Sequence, residues 1–100
     1  MRVYVSSSGQ TLGPQMLAYA EYRLFAVLAR YAGVRGARVV LQDEAEGGVR
    51  CLVTIDFDST ASVRARVKGQ HASGAIDLAA ERVAELMRRR FQSEIVALSN

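Results

Sequence analysis

The side chains in this sequence with chemistry to offer are basic ones. Thirteen of its 100 residues are lysine or arginine, against a single histidine and a single cysteine. Arg23 and Arg30 lie seven residues apart in a stretch that reads as helix, and Arg82 and Arg89 repeat that spacing in a second one. At 3.6 residues per turn, seven residues return nearly to the same angle, so each pair flanks the apolar stripe of its helix. Arg88 points to the other side of the second helix, and Glu85, four residues before Arg89, partly quenches its flank. A third set, Arg38, Arg50, Arg64, Arg66 and Lys68, falls on stretches that read as strands, opposite their apolar residues. Cations so placed grip phosphates without reading bases. The plainer account is that the arginines snorkel at the rim of a core and that the strand charges are solvated.

Nothing else assembles into a reaction centre. His71 has no second histidine and no nearby cysteine, and reads as a linker or cap residue rather than a general base. Asp56 and Asp58 are explained by strand alternation and a turn. The run Ser6-Ser7-Ser8-Gly9 lacks the lysine and the glycine spacing of a phosphate loop. Cys51 falls at an inward strand position, where a thiol is an inert filler. The expectation is a protein without catalytic residues, metal, cofactor or small-molecule substrate. No apolar run reaches the roughly 18 residues of a membrane span. No leader is visible, and the cytoplasm is the expected location.

The elements that must position these cations follow from periodicity. Residues 14–31 carry Leu17, Ala20, Leu24, Val27, Leu28 and Tyr31 at three- and four-residue intervals, which is one helix face. Pro14 suits the first helical position, and Gly33 suits the stop. Residues 2–6, 37–42, 49–57 and 62–68 alternate as strands, the third most clearly, with Val49, Cys51, Val53, Ile55 and Phe57 on one face. Asp43, Glu44 and Glu46 fall in a turn that ends in Gly47-Gly48, and residues 58–60 form another. A second helix is expected over about 73–90, with Ser73 as cap, Asp77 in or near the first turn and Arg88, Arg89 and Arg90 near the end. Residues 92–100 form a tail in which Ile95, Val96 and Leu98 are too apolar for a solvated end; it extends the helix or serves an interface. The order β-α-β-β-β-α defines an α+β fold. Its first two strands are parallel through a helical crossover and the rest are joined by hairpins. Both helices pack on one face of a four-stranded mixed sheet, and the other face is open.

At this point the sequence resembles the ribosome hibernation-promoting factors, also called ribosome-associated inhibitors. Residues 1–6, MRVYVS, look like that family's opening strand. In residues 14–31, Pro14, Leu17, Tyr19, Glu21, Arg23, Leu24 and Tyr31 fall where the family has proline, leucine, tyrosine, glutamate, a basic residue, leucine and an aromatic. Ala75-Ile76-Asp77, Glu81-Arg82 and Arg88-Arg89 look like its second helix. The likeness covers residues 1 to about 91 as a single domain of the short form. It departs at Ser8 and Gly9, where the family has a basic residue and a histidine, at Ala26, where it has a basic residue, and at Ser73, where it has tyrosine. The resemblance implies a fold similar to double-stranded RNA-binding domains and a non-enzymatic role. That role is binding the RNA channel of the small (30S) ribosomal subunit, with its 16S rRNA, and silencing idle or stressed ribosomes. Implied contacts are Arg23, Arg82, Arg88 and Arg89. The basic placement adds Arg30, Arg64, Arg66 and Lys68.

A rival expectation is a protein-interaction or self-assembly module, including a homodimer. Tyr19, Tyr22 and Phe25 lie off the core stripe of the first helix, and aromatic residues beside arginine are typical of interface centres.

Overall fold

The computed structural model describes residues 1–9, 12–59 and 61–99, the stretch 93–99 as backbone alone. In chain order the elements are β1 (Arg2–Ser8), α1 (Pro14–Leu28), β2 (Val34–Asp43), β3 (Val49–Phe57), β4 (Ser62–Gly69) and α2 (Ala72–Ser99). The strands form one sheet in the order β1-β2-β3-β4. β1 runs parallel to β2, and the β2–β3 and β3–β4 pairs are antiparallel. The expected β-α-β-β-β-α architecture is the observed one.

Alternation decides which face of the sheet the helices cover. Along β2, Ala37, Val39 and Leu41 are buried; along β3, Val49, Cys51, Val53, Ile55 and Phe57 are buried, every second residue without a break. Onto this layer α1 lays Ala20, Leu24 and Leu28, and α2 lays Ala75, Ile76, Ala79, Val83 and Met87, to make one core. The hairpin between β2 and β3 closes through Glu44 N–H donating to the Gly48 carbonyl at 3.0 Å, with Gly47 and Gly48 at φ of 98° and 91°. Only glycine takes two successive left-handed positions cheaply.

The helix limits differ from the periodic reading. α1 starts at Pro14, and the Gly13 carbonyl accepts from Met16 and Leu17 N–H. It stops at Leu28 rather than at residue 31. The next bonds, Arg30 N–H to the Val27 carbonyl and Tyr31 N–H to the Leu28 carbonyl, tighten to three-residue spacing. Gly33, at φ 85°, then turns the chain into β2. Arg30 therefore sits in the turn and not on the flank of the helix that carries Arg23. α2 begins at Ala72, so Ser73 lies inside its first turn and is not the cap, and Asp77 lies beyond that turn. It continues to Ser99, which leaves Arg88, Arg89 and Arg90 in mid-helix. Residues 88–98 contain no glycine or proline to break it. The side chains of Ile95, Val96 and Leu98 lie outside the described residues.

Leu24 is wholly buried where α1 meets the sheet. Leu24→Ala is expected to lower the unfolding free energy by about 2–5 kcal/mol, read as a shifted urea midpoint with an unchanged slope.

Candidate nucleic-acid interface

The cations occupy three settings. The first is the seam between α1 and α2. Tyr19 donates its hydroxyl to Asp77 Oδ1 at 2.6 Å, and Arg23 Nε lies 3.2 Å from the same oxygen. The Arg23 Nε is buried and faces that carboxylate without a well-directed hydrogen bond. The bond to Asp77, and secondarily burial, push the Tyr19 phenol above its ordinary pKa. Arg23 is thus turned toward the second helix, and Tyr19 lies in the seam rather than on the outward side with Tyr22 and Phe25. Those two are exposed by 69% and 48%. Ala18, Ala26 and Ala29, also exposed, complete an apolar outer stripe on and just beyond α1.

The second setting is the outer surface of α2. Arg82 Nη1 meets Glu85 Oε2 at 3.2 Å, and Arg89 binds the other oxygen of the same carboxylate. Both arginines stay well exposed, so these are surface pairs worth roughly 0–1 kcal/mol each. Arg88 and Arg30 are exposed and have no carboxylate partner among the described residues. Arg90 lies over the Phe57 ring, 4.2 Å from its centroid, and Phe91 meets Tyr31 edge-on at 6.3 Å.

The third is the uncovered face of the sheet. The strand registers set out its rows: Tyr4, Arg38, Thr54, Arg64; then Ser6, Val40, Leu52, Arg66; then Ser8, Gln42, Arg50, Lys68. Arg38 pairs with Asp56 at 3.2 Å, and Arg50 Nε with Glu44 at 2.7 Å. Arg64, Arg66 and Lys68 are exposed on consecutive outward positions of β4 and pair with no described carboxylate. The sheet face thus gathers all five strand cations singled out in the sequence, three of them without a described carboxylate partner, while Arg23, Arg82 and Arg89 are each held by an acid. The sequence reading missed the Tyr19–Asp77–Arg23 contact, since 58 residues separate the phenol from its acceptor and no local pattern links them.

Other candidate chemistry is not assembled. His71 lines a shallow depression of about 320 Å³ with Asp43 and Glu44, but neither hydrogen bond nor ion pair joins it to either acid, and Glu44 is engaged by Arg50. Cys51 is fully buried, and burial pushes its thiol up to about 11, which keeps it protonated and unreactive at neutral pH. Among the described residues, no group of three or more His, Cys, Asp and Glu side chains is placed to hold a metal ion, and no helix is long and apolar enough to cross a membrane.

This geometry defines a class: an α+β domain with a helix-covered sheet and cations spread over the remaining surface. Residues 3–92 match the model of the Sigma 54 modulation protein / S30EA ribosomal protein family, and the chain belongs to that family of ribosome-associated hibernation factors, whose members are generally not enzymes. Its fold is similar to that of a ribosomal subunit interface protein from Coxiella burnetii, with a TM-score of 0.82 at 9% identity, over 92% of this chain and 99% of that one. It is also similar to the N-terminal domain of Protein Y from Thermus thermophilus, with a TM-score of 0.75 at 23% identity, over 89% of this chain and 98% of that domain. No curated protein matches the sequence.

The raised Tyr19 pKa means that the neutral phenol stabilises the fold. That contribution is complete below the unfolded phenol's pKa of about 10 and disappears as pH rises through the folded value. Ultraviolet titration is expected to show a late-ionising phenol in the wild type that is absent from Tyr19→Phe and shifted downward in Asp77→Asn.

Proposed function

We propose that this protein binds the small ribosomal subunit in the cytoplasm through 16S rRNA phosphates and silences idle or stressed ribosomes without catalysing a reaction. The observation that carries the reading is a family scaffold whose exposed surface bears cations with no carboxylate partner among the described residues: Arg30, Arg64, Arg66, Lys68 and Arg88. Arg82 and Arg89 join them, because a surface pair with Glu85 is weak enough to exchange for a phosphate. Arg23 contributes from the helix seam, where its side chain is about one-third exposed. Phosphate contacts of this kind bind RNA in a salt-dependent way.

One observation favours a second reading. The apolar stripe of Ala18, Tyr22, Phe25, Ala26 and Ala29 faces away from the core, and small residues let a second helix approach closely. In this reading a second copy of the chain covers the stripe, with Tyr22 and Phe25 at the centre, and Tyr19, turned into the helix seam, takes no part.

Co-sedimentation with purified 30S subunits at low and moderate salt tests the first reading, and absence of binding at both salts overturns it. Arg82→Gln combined with Arg89→Gln is expected to weaken binding and reduce the slope of log K against log salt by about 1–2. Analytical ultracentrifugation tests the second. A concentration-dependent dimer that Phe25→Glu abolishes supports it, and a monomer at every concentration removes it.

A further inference from the structure

The open face of the sheet differs from the helices in what its charges have to do. Arg2, Arg38, Arg50, Arg64, Arg66 and Lys68 point from it, and Asp56 is the one carboxylate on the strand positions of that face. Asp56 and the turn residue Glu44 neutralise Arg38 and Arg50. Arg2 stands apart from these on β1, at the opposite edge of the sheet, with Tyr4 raising its pKa. Along the β4 edge, Arg64, Arg66 and Lys68 form a row that no described carboxylate pairs. Alternate strand residues lie about 6.7 Å apart, a step comparable to that between successive phosphates of an extended nucleic-acid strand.

The centre of the face is not charged. Leu52 lies directly beside Arg66, Thr54 beside Arg64, and Val40 beside Leu52. These three are half-buried, and Tyr4, in the neighbouring row, is 59% exposed. A shallow groove of about 350 Å³, lined by Leu52, Val53, Thr54, Arg64, Ala65 and Arg66, runs between β3 and β4.

We infer that this face is a docking surface for an unpaired RNA strand, with phosphates along Arg64, Arg66 and Lys68 and bases over Leu52, Val40 and Tyr4. The inference rests on the ribosomal reading above and names the kind of RNA and the side of the domain that receives it. Charge selects a polyanion; the apolar centre selects the strand. A duplex presents phosphates and sugars outward and keeps its base faces stacked, so it would satisfy the cations and leave Leu52, Val40 and Tyr4 uncovered. Bases of a single strand present flat faces that cover such a surface. Charge along an edge strand also discourages pairing with another chain, but that role asks nothing of the apolar rows behind it.

The test uses the full chain and fluorescence anisotropy with a 12-nucleotide oligouridine and a 12-base-pair RNA duplex, alongside 30S co-sedimentation. The wild type is expected to prefer oligouridine to the duplex. The triple variant Arg64→Ser, Arg66→Ser, Lys68→Ser is expected to bind oligouridine at least tenfold more weakly. Its salt slope should fall by about 2, since each single-strand phosphate that a cation neutralises adds roughly 0.7 to that slope. Arg64→Lys with Arg66→Lys keeps the charges and is expected to bind within threefold of wild type, which separates removal of charge from damage to the fold. Leu52→Ser is expected to weaken oligouridine binding while leaving duplex binding unchanged. A triple variant that stays folded by circular dichroism and binds oligouridine as the wild type does overturns the inference, as does a tenfold preference for the duplex. Subunit binding that survives the triple variant but is abolished by Arg82→Gln with Arg89→Gln overturns the inference and leaves the ribosomal reading standing. Wild-type protein that binds oligouridine through this face but no subunit upholds the surface and overturns the ribosomal reading.

Discussion

One-sided burial is the constraint from which the rest of this molecule follows. Leu24 and Leu28 on α1 and Ile76 and Val83 on α2 are fully buried against Val39, Leu41, Val53 and Ile55 of the sheet. Each such side chain stabilises the fold by about 1.5–3 kcal/mol relative to exposure, and no comparable apolar set exists on the opposite face. With two helices already covering the inner layer, the outer one meets water. Its positions are therefore free to carry charge, and six of them hold a cation.

Charge on that outer layer is not evenly answered. On the helices, Arg23 is held by Asp77, and Arg82 and Arg89 by Glu85. On the sheet, acids answer Arg38 and Arg50, while the edge strand keeps three cations in sequence without one. Like charges spaced at about 7 Å in water repel by roughly half a kcal/mol per neighbour, a small cost that an incoming phosphate chain reverses. On the proposed reading the paired arginines exchange one weak surface partner for a phosphate. Arg64, Arg66 and Lys68 have no described carboxylate to displace.

Much of the architecture could be read from alternation and spacing. In β3 every second residue is buried along nine positions, as the sequence Val49-Arg50-Cys51-Leu52-Val53-Thr54-Ile55-Asp56-Phe57 reads. The ends of elements were less legible because they depend on local hydrogen bonding. α1 stops early where its last turn tightens, and β2 begins at Val34, where the register shifts between Val34 and Gly36 and no alternation marks it. α2 continues through the tail, the helical extension that is one of the two expectations for it, because nothing after Arg90 breaks a helix. For the candidate interface, Glu85 with Arg89 was visible as a four-residue spacing. The Asp77 seam was not, since it joins helices far apart in sequence. The residues Arg64, Arg66 and Lys68 were visible as alternating cations. That no acid stands opposite them is a property of the register and could not be seen along the chain.

The most direct measurement is a cryo-electron microscopy structure of the 30S subunit saturated with this protein. The account predicts the β4 side of the open sheet against unpaired ribosomal RNA, with Arg64, Arg66 and Lys68 within reach of phosphates and both helices still packed on the inner face. A bound domain whose open sheet face looks into solvent, or subunits that carry no such density at saturating protein, would contradict it.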